Sequence, residues 1–243
     1  MADFIVTGIV LNSIDYKEKD KLVKIFTAET GIISAVLKGV KNSNSKLKFA
    51  FQPFCFAQYE LVKKGDFYTI TQVNLLDSFF DIATNYDKFI AGQIMLKLCI
   101  DHLKQNYEAH DLFFDLINLL KELVYEDASI KLIILKFFLQ LLNFGGYAKD
   151  FEECAECNNN LSFPIYFHNE TGALVCKNCV NSDCIEFSKE QFAVYKMINN
   201  TNINKLHTLK LKPIIVDNLS ILLKRVVENL LSVKIADFTN LTN

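Results

Sequence analysis

Tryptophan is absent from this chain of 243 residues, and arginine occurs once, at Arg225. With a single planar guanidinium, bidentate recognition of bases or phosphates is mostly closed to it, so any contact with nucleic acid must rest on lysine point charges. Long apolar runs are also missing. Nowhere do eighteen uncharged apolar residues follow one another, which argues against a membrane-spanning helix. The opening stretch, MADFIVTGIVLNSIDYKEKD, has Asp3 where a signal peptide would be basic and shows no small-residue cleavage site. The expected location is cytoplasmic, with no membrane partner.

Catalytic motifs are equally scarce. The chain has no Gly-rich phosphate loop ending in Lys-Ser/Thr, no H-E-x-x-H and no nucleophile elbow. The H-x-E and P-C-x-x-C elements of nucleobase deaminases are missing, and the four histidines are isolated. A thiol oxidoreductase would open a helix with its C-x-x-C inside a βαβ setting, which this chain lacks. The expected class is therefore a protein that is not an enzyme.

What the chain does have is sulfur at metal spacing. Cys154/Cys157 and Cys176/Cys179 form two C-x-x-C pairs separated by eighteen residues. Each pair puts two thiolates on one side of a tight turn, and two facing pairs supply the tetrahedral set that zinc prefers; iron binds such sets too. Four sulfurs leave no open coordination position, so the expected role is a structural zinc site and not a catalytic one. Asn158 tolerates the left-handed turn of a zinc knuckle, whereas Val180 does not, so distortion is expected in the second knuckle. Cys184 and His168 are spare candidates. The cysteine total of seven is odd, which fits a reducing compartment better than a disulfide framework.

Charge is divided along the chain. Residues 1 to 80 hold ten Lys and eight acids; residues 81 to 153 hold seven Lys and twelve acids; residues 154 to 243 hold nine basic residues and eight acids. The segments therefore carry +2, −5 and +1, and together they return the net −2 of the chain. The local pattern matters more for nucleic acid than this total. From Thr30 to Tyr59 there are four lysines, Lys38, Lys41, Lys46 and Lys48, and no acid. By contrast Lys17, Lys19, Lys21 and Lys24 alternate with Asp15, Glu18 and Asp20, which predicts a weak field there.

Residues 1 to 80 read as short strands. Ile5 to Leu11, Leu22 to Phe26 and Ile32 to Leu37 are rich in β-branched and aromatic residues, with Gly31 and Gly39 as punctuation. A hairpin follows, from Phe54 to Leu61, through Lys64-Gly65-Asp66, into Phe67 to Val73. Five strands without a long helix predict an OB-type five-stranded barrel, with an SH3-like barrel as the alternative. Phe49, Phe51, Phe54, Tyr59, Phe67 and Tyr68 are possible stacking residues, though many must fill the core.

From residue 81 the period becomes helical. A helix capped by Asn85 carries Phe89, Ile90, Ile94, Leu96 and Leu98. A second spans about Asp111 to Tyr125, and a third, Ser129 to Asn143, is apolar almost all round and must be central. Gly145-Gly146 ends it. Beyond the cysteines, Ser188 and Gln191 form a capping box for a helix presenting Phe192, Tyr195, Met197 and Ile198, and a last helix begins at Pro213. The expected organisation is multidomain. An OB-type DNA-binding barrel over 1–80 precedes an all-α domain over 81–243, which is interrupted by a zinc module at 151–184.

The order of these parts, with GIVLNSIDYKEKDKLVKIFTAETGIISAVLKGVKNSNSKLKFAFQPF, then FFLQLLNFGGYAKDFEECAEC and LVCKNC, resembles the bacterial recombination mediator family RecO over essentially the whole chain. The resemblance implies a DNA repair protein, associated with the nucleoid, that binds single- and double-stranded DNA and anneals complementary strands. It also implies work with RecR to load RecA onto strands coated by single-strand-binding protein, without nucleotide hydrolysis. By position, Lys38, Lys41, Lys46 and Lys48 fall in the family's basic loop. Family members often have arginine there, and lysine keeps phosphate attraction while losing planar stacking. The cysteines match the members that retain zinc. The rival reading is a zinc-ribbon adaptor with an SH3-like barrel that binds only proteins.

Overall fold

A computed structural model describes residues 3–64, 67–104, 109–147 and 151–241. Those up to Leu120 form one compact unit and those from Lys121 on form a second.

Strand β1 (Asp3–Tyr16) serves two neighbours. Its first half pairs antiparallel with β4 (Phe56–Lys64), from Asp3↔Val62 to Ile9↔Phe56, and its second half with β2 (Asp20–Thr27), out to Tyr16↔Asp20. A register shift between Val10 and Asn12 bends the strand between the two partners, as a bulge does in a closed sheet. At the crossover only glycine fits: a Cβ on Gly8 would lie 2.5 Å from Ile25 Cγ2 and 3.0 Å from the Phe26 carbonyl oxygen. Strand β3 (Gly31–Leu37) pairs with β2, and then in parallel with β5 (Phe67–Asp77) through Ala35↔Tyr68 and Val36↔Thr69. The order β1-β2-β3-β5-β4 closes the barrel. An SH3-like meander would place β4, not β5, beside β3, so the barrel is OB-like.

Alternation directs Val23, Ile25, Ile33, Ala35, Ala57, Tyr59, Leu61 and Ile70 into the barrel core. The buried Tyr59 hydroxyl donates to the Cys55 carbonyl at 3.2 Å, satisfying a polar group that burial would otherwise penalise. A 3₁₀ turn at Lys48–Phe51 inserts Ala50 into the core and packs Leu47, Phe49 and Phe51 against it. In the same unit Phe26 and Phe56 meet Phe113 at ring distances of 5.3 and 6.3 Å.

Helix α1 (Phe80–Thr84) is a short turn absent from the sequence reading, entered through Phe79 in the left-handed region. Helix α2 (Tyr86–His102) starts where expected, with the Lys88 N–H donating to Asn85 Oδ1 at 3.0 Å. Helix α3 (His110–Tyr125) buries Leu112, Leu116, Leu119, Leu120 and Leu123. In the second unit α4 (Ile130–Phe144) is buried on nearly every side and ends at Gly146, which takes a φ of +80°. Both halves of the Ser188/Gln191 capping box form at the start of α5 (Lys189–Asn200), and α6 (Pro213–Leu231) starts at its proline. Met197, expected on the buried face of α5, is exposed, and Val194 takes that role. The cause is angular: Val194, Tyr195 and Ile198 share a stripe, and Met197 falls outside it. Among the described residues no helix is long and apolar enough to cross a membrane.

Candidate metal centre and nucleic-acid interface

The cysteine module is built on a three-stranded antiparallel sheet, β7-β6-β8, from β6 (Ile165–His168), β7 (Leu174–Cys176) and β8 (Cys184–Phe187). Each strand is too short to announce itself by alternation. Before the sheet the first knuckle turns at Asn158, whose φ is 55°, and closes with the Asn158 N–H donating to the Cys154 carbonyl at 2.9 Å. The second closes through Cys179 N–H to the Cys176 carbonyl at 3.0 Å, and Val180 is not left-handed. The Ala155 N–H donates to the Leu174 carbonyl at 3.0 Å, tying the first knuckle to β7.

This geometry gathers the four sulfurs Cys154, Cys157, Cys176 and Cys179 within 4.8 Å of one another, a cluster that can hold a metal ion. Cys157 Sγ and Cys176 Sγ lie 3.9 Å apart. Thiolates about 2.3 Å from a tetrahedral ion stand roughly 3.8 Å from each other, so the spacing fits. Burial pushes the Cys154 thiol up, but backbone N–H groups of Cys176, Cys157 and Glu156 outweigh it and bring it down to about 6. Hydrogen bonds that the Cys179 thiol donates to Cys157 and Cys176 push it up to about 12. The spare candidates stand apart: His168 Nδ1 accepts the N–H groups of Glu170 and Thr171, and the Cys184 thiol donates to Asn181 Oδ1 at 3.2 Å.

The lysine loop sits between β3 and β4 of the barrel. Its root is tied to the β1–β2 hairpin: Gly39 N–H donates to Asp20 Oδ1 at 2.8 Å, and Lys41 N–H to the Lys19 carbonyl at 3.1 Å. Lys38 and Lys46 are exposed, and Lys48 Nζ donates to the Ser43 carbonyl at 2.9 Å. Lys41 Nζ lies 3.1 Å from Asp15 Oδ2, and Lys21 Nζ lies 2.8 Å from Asp15 Oδ1. Lys21, passed over in sequence because acids flank it, thus joins the same cluster. The signal that would have found it is register, since Asp15 faces Lys21 across the hairpin. Among the candidate stacking rings, Phe54 and Tyr59 are buried and have no face to offer. Phe49, Phe51 and Tyr68 are half-buried against the core, and Gly65, Asp66 and the Phe67 side chain lie outside the described residues.

The family described as "Recombination protein O N terminal" matches residues 1–79, and "Recombination protein O C terminal" matches residues 83–236. The chain is similar to DNA repair protein RecO of Clostridium novyi (strain NT), with 31% identity over 85% of this chain and 80% of the relative. DNA repair protein RecO of Clostridium perfringens (strain 13 / Type A) is 31% identical over 84% and 83% of the two chains. That of Caldicellulosiruptor saccharolyticus is 27% identical over 95% of each.

Proposed function

The chain belongs to the recombination protein O family of DNA repair and recombination proteins, and on that premise we propose that it is a recombination mediator whose barrel binds DNA through lysines. The observation carrying this reading is the loop from Lys38 to Lys48, which holds four lysines and no acid and is pinned to an OB-like barrel. Lys38, Lys41, Lys46 and Lys48 neutralise backbone phosphates on single- and double-stranded DNA. Two complementary strands brought to one cationic surface repel each other less and so anneal faster. Lysine reads charge and not base edges, so binding is blind to sequence and strongly weakened by salt.

In this reading Cys154, Cys157, Cys176 and Cys179 hold a structural zinc ion, which cross-links two knuckles and performs no reaction step. The protein acts with RecR, single-strand-binding protein and RecA as a loading factor near the nucleoid, and it is not an enzyme. The test is annealing of two complementary labelled oligonucleotides, with and without the protein, alongside anisotropy of a single strand at two salt concentrations. Acceleration together with salt-sensitive binding is expected. No binding at low salt would favour the rival class, an adaptor that binds only proteins.

A further inference from the structure

The Asp15 carboxylate is gripped by two ammonium groups from different segments, Lys21 of β2 on Oδ1 and Lys41 of the loop on Oδ2. Both lysines are held in place by other means. Lys21 Nζ lies 5.2 Å from the centre of the Phe51 ring, and the Lys41 backbone is bonded to Lys19. Asp15 itself is 63% exposed and reaches the pair from the end of β1. Its bonds to Lys21 and then Lys41 hold its carboxyl below the usual carboxylate range, so it is ionised at neutral pH. A carboxylate with one cation on each oxygen has the same outline as a phosphodiester, whose two non-bridging oxygens carry the same shared charge.

We propose that Lys21 and Lys41 form a backbone-phosphate subsite that Asp15 occupies in the free protein, so that a nucleic-acid strand binds there by displacing the Asp15 carboxylate. This rests on the reading of the barrel as a DNA-binding surface. The arrangement selects for polymers. An isolated phosphate must compete with a carboxylate tethered at high effective concentration, whereas a strand already held by Lys38 and Lys46 competes on equal terms. Exposed ion pairs contribute little to stability, so the pair can be opened without unfolding the barrel.

The experiment measures anisotropy of a labelled oligothymidylate with the full-length chain across a salt series, comparing wild type with Asp15→Asn, Glu18→Gln and the double variant Asp15→Asn/Lys21→Gln. Asp15→Asn should bind several-fold tighter at low salt. Its plot of log affinity against log salt should steepen by about 0.7, the increment for one further phosphate contact on a single strand. Glu18→Gln removes the same charge from the same hairpin without freeing either lysine, and the double variant should lose the gain. If wild type binds but Asp15→Asn does not exceed it, or Glu18→Gln gains as much, the subsite is refuted while the wider reading stands. If none of the four proteins binds at low salt, both fall together.

Discussion

The Cys176 N–H points at Cys154 Sγ across 3.4 Å, joining two knuckles that are 22 residues apart in sequence. N–H···S bonds of this kind favour thiolate over thiol, the form in which sulfur can hold a metal ion. The cost of assembling the remaining sulfurs falls on the fold, which holds them with the β7-β6-β8 sheet and the Asn158 turn.

Metal removal should therefore act on stability and not on DNA. The purified protein is expected to carry about one zinc per chain by atomic emission. Cys157→Ser should lose it and melt several degrees lower, since about 1 kcal/mol shifts Tm by roughly 2–4 °C at this size. Oligothymidylate affinity should be unchanged at temperatures where the variant is folded. A folded, metal-free variant that no longer binds DNA would show that the clip does more than stabilise.

Legibility in the sequence followed the range of the forces involved. Asn85, Ser188 with Gln191, and Pro213 marked helix starts correctly, because a cap bonds within three residues of itself. The strands of the barrel were visible through alternation, yet β1 runs to Tyr16 and not to Leu11. Its second half, Asn12 to Tyr16, is polar and is held by pairing with β2, which no local pattern reports. The four-cysteine cluster was legible as spacing, while the sheet beneath it was hidden in strands of three and four residues. The Lys21–Asp15–Lys41 cluster joins a hairpin to a distant loop, so composition alone made it look neutral.

Gly92 offers a test of core packing near the barrel. Alanine in a helix interior is normally worth about 1 kcal/mol over glycine. Here a Cβ would lie 2.7 Å from Phe54 Cε1, 2.8 Å from its Cζ and 3.3 Å from Ile82 Cγ2. Phe54 is buried and cannot swing away. Overpacking of about 1–3 kcal/mol should win, so Gly92→Ala lowers the denaturant midpoint. Adding Phe54→Leu should return part of the loss, and a more stable single variant would refute the contact.

Lys136 is a buried cation in a helix otherwise chosen for apolarity. Its Nζ donates to the carbonyls of Ile198 at 3.2 Å and Asn199 at 2.7 Å, at the end of α5, where helix carbonyls lack partners. Lys136→Met keeps much of the stem and deletes the bonds to Ile198 and Asn199. Removing a buried charge relieves desolvation, but two stranded carbonyls outweigh that relief, and a loss of about 1–3 kcal/mol is expected in urea unfolding. An increase in stability would mean that the ammonium is tolerated and not used.

Charge reversal in the lysine loop tests the interface itself. Lys46 is exposed, and Lys41 is shared with Asp15, so the two should not respond alike. Lys46→Glu removes a freely available cation and should weaken oligothymidylate binding while flattening the salt dependence by about 0.7. Lys41→Glu additionally places a carboxylate beside Asp15, with Lys21 left to face both, so its loss should be larger and its slope flatter still. Both variants should keep the wild-type melting temperature, because exposed pairs of this kind add little to folding. Unchanged affinity and slope in the two variants would remove the loop from the binding surface and move the search to other faces of the barrel.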